Sequence, residues 1–331
     1  MTKTEEDIFQ IAKTAELLGF AEKKFLITGA TGMIGRVLTS ALLRITDATN
    51  IFAVSNNLER IKLHYKDSGI RCYSFETISD ICDDVDYVIH LASPTSSEYL
   101  KEKPIETIFF MLDSTKAVLD FSKRHHSRLL YISSMEVYGE VLDDNPKKEE
   151  HLGYISLNNT RSSYPEAKRM CELLCYSYFK EYGVKAYSAR LAQTFGAGTA
   201  QDDPRLFGYF GRCIVNSSDI VLKTKGESYG NYCYISDAIN SFFYILSNGK
   251  EGLTYNVVGD NSRFTILELA KLVSNNIGKG KIKVRHEISD TSIFPNPTKL
   301  NMDNSRIKAL GWKPRFTVID MFNRMIESWK E

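Results

Sequence analysis

Phe25-Leu26-Ile27-Thr28-Gly29-Ala30-Thr31-Gly32-Met33-Ile34-Gly35 is the stretch from which the rest of the chain is read. A short apolar run suited to a buried strand ends at Thr28. Glycines then follow at the spacing G-x-x-G-x-x-G, and a helical pattern opens at Met33. Gly29 suits a turn that no side chain tolerates, Gly32 lets backbone approach a pyrophosphate, and Gly35 lets a helix pack tightly on a sheet. The helix that opens here points its free N-terminal amides at an anion. Chance glycines in an ordinary strand-turn-helix are the competing reading, and three of them at this spacing directly after a strand argue against it. A dinucleotide held by Gly29, Thr31, Gly32, Met33, Ile34 and Gly35 is the expectation.

Further apolar runs stand at 51–54, 85–91, 129–133 and 184–191, with helical stretches at 33–44, 105–125 and 164–182 between them. Strands alternating with helices predict an α/β chain with a parallel, doubly wound sheet covered on both faces. Upstream, 5–18 reads as an amphipathic helix with Ile8, Ile11, Ala15 and Leu18 on one face. Beyond Gly196, segments rich in Gly, Asp, Ser and Asn separate shorter helices at 205–215, 235–246 and 266–277. This suggests an N-terminal helix over 1–20 and a dinucleotide domain over 21–195. A smaller substrate domain over 196–331 would interleave with it, returning part of 231–258 to the main sheet, with 254–258 as a strand. The stretch 294–299, with Pro295 and Pro297, reads as a loop, and Gly311-Trp312-Lys313-Pro314 as a helix stop and turn.

The 331 residues carry 43% hydrophobic and 25% charged side chains, the balance of a globular protein rather than a disordered one. A net charge of +1 gives no global field that would recruit nucleic acid or a membrane surface. The six cysteines show no paired framework, and Cys171 and Cys175, four apart on a helical stretch, read as packing. The six histidines form no ligand-like pattern, so no metal is expected. No apolar run approaches a membrane span, and the first residues are acidic and polar rather than signal-like, which makes the cytoplasm the expected location.

The second strand ends in Val54-Ser55-Asn56-Asn57, where an acidic residue would grip a free ribose hydroxyl. None stands there, and Ser55 and Asn56 suit either ribose, so NADP stays open, and only a chemistry that recycles its own cofactor leans the reading to NAD. Tyr164-Pro165-Glu166-Ala167-Lys168 sets a tyrosine and a lysine on one face of a helix, a turn apart. A tyrosine with a pKa of about 10 is too weak an acid to serve as a base at neutral pH, and a neighbouring ammonium favours its phenolate. Such a pair alone is most often a solvated helical pair. Here Leu130-Tyr131-Ile132-Ser133-Ser134 is a strand whose C-terminal end lies where ligand crevices form. Ser134 there can hydrogen-bond the oxygen that Tyr164 deprotonates, whereas Ser133 reads as turn chemistry.

Gly29–Gly35, His90-Leu91-Ala92, Ser134 before Val137-Tyr138-Gly139, Tyr164 with Lys168, and the stretch from Arg190 to Gly196 together resemble the extended short-chain dehydrogenases, the epimerases, dehydratases and decarboxylases of nucleotide sugars. That resemblance implies a Rossmann domain with a small C-terminal substrate domain, catalytic Ser134, Tyr164 and Lys168, and a homodimer through the helices near 105–125 and 164–182. It also implies cofactor contacts from Leu91, Ala92 and Ser93 and substrate contacts from Pro94, Thr95 and Ser134, while the substrate's pyrophosphate needs cations or amides, for which Gln193, Arg205 and Lys299 are the candidates. Leu91 to Ser96 with Tyr99, Pro104 to Thr107, Arg161-Ser162-Ser163-Tyr164 and Lys168-Arg169 look most like UDP-glucuronate decarboxylases, in which Glu136 stands at a catalytic acid's place. The competing reading of Glu136 is a solvated turn carboxylate.

Four positions depart from the pattern. Gln193 replaces an Asn, Gly230-Asn231-Tyr232 lacks an Arg, Leu300 beside Lys299 replaces another Arg, and Met135 replaces the Asp of dehydratases. The expected chemistry is NAD(P)-dependent modification of a nucleotide-linked sugar through a transient 4-ketone. The rivals are a simple reductase of a keto sugar and a non-catalytic NAD(P)-binding sensor.

Overall fold

The computed structural model describes residues 1–288 and 297–331. In chain order the first half runs α1 (Lys3–Leu17), β1 (Phe25–Thr28), α2 (Met33–Leu42), β2 (Ile51–Ser55), α3 (Leu58–His64), β3 (Arg71–Ser74), β4 (Tyr87–His90), α4 (Ser97–Glu102), α5 (Pro104–His125), β5 (Arg128–Ser134), α6 (Ser163–Tyr182) and β6 (Ala186–Leu191). The second half adds β7 (Gln193–Phe195), α7 (Leu206–Val215), β8 (Ile220–Leu222), β9 (Tyr229–Tyr234), α8 (Ile235–Asn248), β10 (Thr254–Val257), β11 (Arg263–Thr265), α9 (Ile266–Asn276), β12 (Val284–His286), α10 (Ser305–Lys308) and α11 (Val318–Ser328).

Seven strands form one parallel sheet in the order β10-β6-β5-β4-β1-β2-β3. The chain winds outward from β1 to β3, then restarts on the other side of β1 with β4. The helices that follow β1 and β4, α2 and α5, therefore lie on opposite faces of the sheet, the topology that places a crevice at the C-terminal ends of these strands.

Alternation along the strands builds a core on each face. Leu26, Val88, Leu129 and Tyr131 point to one side, where they pack with Val118, Leu119, Cys171 and Cys175 of α5 and α6. Phe25, Ile27, Ile89, Leu130 and Ile132 point to the other, where α1, α2 and α8 cover them. That second core continues without a break into the smaller lobe through Ile239, Phe242 and Phe322.

The smaller lobe holds two further sheets, β11-β9-β7 and β12-β8. The run expected at 184–191 leaves the main sheet after Leu191 and continues as β7 beside β9. The strand expected at 254–258 returns to the main sheet against β6. Several short elements had no counterpart in the sequence reading, β3 and α11 among them. β3 is a four-residue edge strand whose first three residues are half-exposed, so it carries no apolar run. α11 buries Val318, Met321, Phe322, Met325 and Ile326 against the small lobe.

α1 begins at a capping box formed by Thr2 and Glu5 and buries Asp7, Ile11, Ala12 and Ala15 against α2 and α8. Of the loop expected at 294–299, residues 294–296 lie outside the described residues, and 297–299 form no regular element. Gly311 takes a φ of +97°, which fits the stop read after α10. Among the described residues, no helix is long and apolar enough to cross a membrane.

Candidate active site

At the end of β1 the chain turns at Gly29 with φ +66°, and a Cβ there would lie 2.9 Å from the Ala92 nitrogen on the neighbouring loop. A Cβ on Gly35 would lie 2.3 Å from the Gly29 carbonyl oxygen, so α2 packs on the loop at a distance only glycine allows. Gly32 differs. It is exposed, caps α2 with backbone alone, and a Cβ there would meet only the Gly29 oxygen at 3.3 Å. Two glycines thus set the shape of the cradle, and the third presents bare backbone to whatever lies in it. The first-turn amides of α2 receive no side-chain cap, which fits an anionic dinucleotide seated there. Thr31, Met33 and Ile34 line the same turn half-buried.

The loop after β4 is tied to this cradle. The Ala92 N–H donates to Thr28 Oγ1 at 3.0 Å, and that hydroxyl lies 2.7 Å from His90 Nδ1. His90 Nε2 lies 3.2 Å from Thr115 Oγ1, whose proton goes to the Met111 carbonyl at 2.7 Å. The partners assign the tautomer: Nε2 carries the proton and Nδ1 accepts from Thr28. Burial, helped by the Lys168 charge, pushes the His90 pKa down to about 3, so the ring stays neutral. This chain anchors Leu91, Ala92 and Ser93 against β1. At the end of β2, Ser55 accepts from the Asn57 N–H at 3.2 Å, and Asn56 is exposed.

Tyr164 and Lys168 stand one turn apart on α6, both buried, with the Lys168 nitrogen 5.7 Å from the centre of the Tyr164 ring. Lys168 donates to the Ile132 carbonyl at 2.7 Å, which fixes it beneath β5, and burial lowers its pKa to about 8. The Tyr164 phenol is pushed up to about 12, first by burial and then by Glu136. The Ser134 hydroxyl, the Arg161 charge and the Ser93 hydroxyl work in the opposite direction. A further positive charge near the ring is what this tyrosine needs to act as a base at neutral pH.

Adjacent residues of β5 point to opposite faces, and this separates the two serines. Ser133 donates to Glu172 at 2.5 Å, joining a buried pair in which Arg190 lies 2.7 Å from the same carboxylate. Ser134 turns the other way, beside Tyr164, and accepts the Glu136 N–H at 3.2 Å. The structure thus gathers Ser93, Ser134, Glu136, Tyr164 and Lys168 at one end of the crevice.

The expected substrate contacts are more scattered. Pro94 is half-buried and Thr95 exposed on the loop after β4. Arg205 is paired with Asp203 at 2.6 Å and reaches Met33 Sδ at 3.9 Å, on the cradle side. Gln193 pairs with Tyr232 in the small sheet. Lys299 stands 3.7 Å from Asp144. At Gly230, a Cβ would lie 2.3 Å from the Tyr232 hydroxyl, so this tyrosine occupies the space a longer side chain would need. Leu300 is buried and its carbonyl accepts from Arg263 at 3.1 Å. A cation therefore does stand beside this strand, delivered by β11, which the sequence reading had not singled out. Arg161 was also read only as part of a motif, and here it binds Glu136 at 2.8 Å.

Residues 25–258 match the model of the NAD dependent epimerase/dehydratase family. UDP-glucuronic acid decarboxylase 6 of Arabidopsis thaliana is 29% identical over 315 residues, spanning 93% of this chain and 89% of that protein. UDP-glucuronic acid decarboxylase 1 of Xenopus tropicalis is 28% identical over 316 residues, spanning 93% and 72%. Among solved structures, the UDP-N-acetylglucosamine 4-epimerase of Methanobrevibacter ruminantium M1 superposes with a TM-score of 0.79 at 20% identity, covering 94% of this chain and 99% of that one. The UDP-glucuronic acid 4-epimerase of Bacillus cereus, solved with UDP-glucuronic acid and NAD, gives 0.75 at 21% identity, covering 93% and 99%. The structural likenesses speak to the fold.

Proposed function

The chain belongs to the NAD-dependent epimerase/dehydratase family, and from that premise we propose that it converts a UDP-linked uronic acid through a transient ketone at C4, with loss of the C5 carboxylate. The observation that carries this reading is the convergence of Ser134, Tyr164 and Lys168 with an acidic residue, Glu136, at the mouth of the crevice. A plain reductase has no use for Glu136. The decarboxylases named above, aligned over nearly the whole chain, favour the uronic acid among the family's sugars.

Gly29, Gly32 and Gly35 with the first turn of α2 would hold the pyrophosphate of the cofactor, Ser55 and Asn56 a ribose, and Lys168 the ribose nearest the ring. Held there, oxidised NAD would supply the redox chemistry, a reversible uptake of hydride from C4, and a positive ring that would favour the phenolate. Tyr164 takes the C4 hydroxyl proton while Ser134 hydrogen-bonds the same oxygen. The resulting ketone lies β to the C5 carboxylate, so the C5–carboxylate bond breaks with its electron pair delocalised into the carbonyl and carbon dioxide leaves. Glu136 manages the proton that C5 then gains. Tyr164 finally gives its proton back to the C4 oxygen.

The test is to incubate the purified protein with UDP-glucuronic acid and with neutral nucleotide sugars and to weigh the products. Loss of carbon dioxide from the uronate alone is the expected result. Loss of water, or an unchanged mass with inverted C4, would replace decarboxylation by one of the family's other outcomes.

A homodimer is part of the proposal. Ile105 and Phe109 of α5, with Met170, Leu173 and Tyr176 of α6, are all exposed apolar side chains on adjacent helices. Such a surface favours burial against a second copy of the same helices.

A further inference from the structure

Arg161 closes the turn Thr160–Ser162 that leads into α6, three residues before Tyr164. Its backbone N–H donates to Asn159 Oδ1 at 3.0 Å, and the Ser162 hydroxyl donates to the Ser156 carbonyl at 2.6 Å, so the backbone here is fastened. The guanidinium joins two groups of the site. Its Nη2 lies 2.9 and 2.8 Å from the two Glu136 oxygens, and its central carbon lies 5.5 Å from the centre of the Tyr164 ring. Nη1 is buried without a hydrogen-bond partner among the described residues, so the ring face is left to offset part of its desolvation.

The charged and titratable groups around Tyr164 come from four places. β5 and the turn after it bring Tyr131, Ser134 and Glu136, the loop after β4 brings Ser93, α6 brings Lys168, and the turn before α6 brings Arg161. Glu136 is the acidic member of this set. A carboxylate there is useful for a later proton transfer and unhelpful for the first, because it opposes a negative charge on Tyr164. The guanidinium counters that opposition while it holds the carboxylate in place.

We propose that Arg161 is a positioning residue acting through Glu136: it keeps that carboxylate beside Tyr164 as half of a neutral pair, so that one site can house both a phenolate base and an acidic group. This rests on the reading of Tyr164 and Glu136 given above.

The experiment reads Tyr164 directly, without turnover. Tyrosines are labelled with carbon-13 at the hydroxyl-bearing carbon, the Tyr164 signal is identified by its loss in Tyr164→Phe, and the NAD-bound protein is titrated by NMR. Arg161→Gln should raise the titration midpoint by about one pH unit or more, or carry it beyond reach. Adding Glu136→Gln to that variant should bring the midpoint back to within a few tenths of the parent, and Arg161→Lys should recover at least half of the shift. An unshifted midpoint in Arg161→Gln overturns the proposal. So does a shift that neither Glu136→Gln nor Arg161→Lys reverses, since that is what mere damage to the turn produces. A parent Tyr164 that never titrates in the NAD-bound protein defeats the reading of the base itself, and the proposal with it.

Discussion

Tyr164, the proposed base, is poorly suited to that role by itself, and its neighbours pull it in both directions. Burial and Glu136 hold its phenol up at about 12, while the Lys168 ammonium sits 5.7 Å from its ring. Removing only the hydroxyl in Tyr164→Phe should lower kcat roughly 10²–10⁴-fold, with cofactor binding and melting temperature little changed. Near-parent turnover in that variant would sink the assignment. Lys168→Met should both slow the reaction and weaken NAD binding about tenfold, since a charged hydrogen bond is lost from a buried place. Unchanged NAD affinity by titration calorimetry would remove the second role. Glu136→Gln keeps the shape of the turn and loses the group proposed to handle the proton after hydride transfer. Single-turnover mixtures with UDP-glucuronic acid should then accumulate reduced cofactor, seen by its near-ultraviolet absorbance, and a parent-like trace would return Glu136 to an ordinary turn residue.

At the scale of elements, the cradle and α1 each make a claim that can be measured. Gly35→Ala places a methyl group 2.3 Å from the Gly29 oxygen, so α2 must shift away from the loop. NAD affinity should fall at least tenfold and the melting temperature by several degrees, whereas unaltered NAD binding would show that the packing is not as tight as described. α1 carries the buried Asp7, to which Tyr234 at the end of β9 donates at 2.5 Å and Arg324 of α11 at 2.8 Å. Burial outweighs these partners and raises its pKa from 3.8 to about 6. Because the folded value lies above the unfolded one, the ionised carboxylate costs stability above pH 6, about 3 kcal/mol at most. That cost is relieved as the pH falls from 6 toward 4 and vanishes below 3.8, where both states are protonated. The parent should therefore gain stability relative to Asp7→Asn on going from pH 7.5 to 5, read from urea midpoints. A relative loss over that interval would mean that the Arg324 pair dominates.

At the scale of the whole molecule, one core runs from the sheet into the small lobe, while the α5–α6 face keeps apolar side chains outside. Phe109 is 60% and Leu173 55% exposed, an arrangement that a second copy would cover. Phe109→Glu with Leu173→Glu should convert a dimer into a monomer by light scattering. A monomeric parent protein would refute the proposed association outright.

Local spacing determined a good deal. The glycines of 29–35 had to form a cradle because turn, approach and helix packing follow from three neighbouring positions, and Tyr164 and Lys168 had to share a helical face because they are four apart. The choice between Ser133 and Ser134 was different. Both stand on one strand, and the pairing of Ser133 with Arg190 and of Ser134 with Leu191 on β6 decides which faces Glu172 and which faces the crevice. β3 was not legible because an edge strand with half-exposed side chains carries no apolar run. The Thr28–His90–Thr115 chain, the Arg161–Glu136 pair and the placing of Arg205 by Met33 join residues from 25 to 172 positions apart. Periodicity and spacing report what one segment does by itself. Hydrogen bonds and charge pairs between segments depend on crossovers that bring distant strand ends to one crevice, and only the folded sheet supplies those.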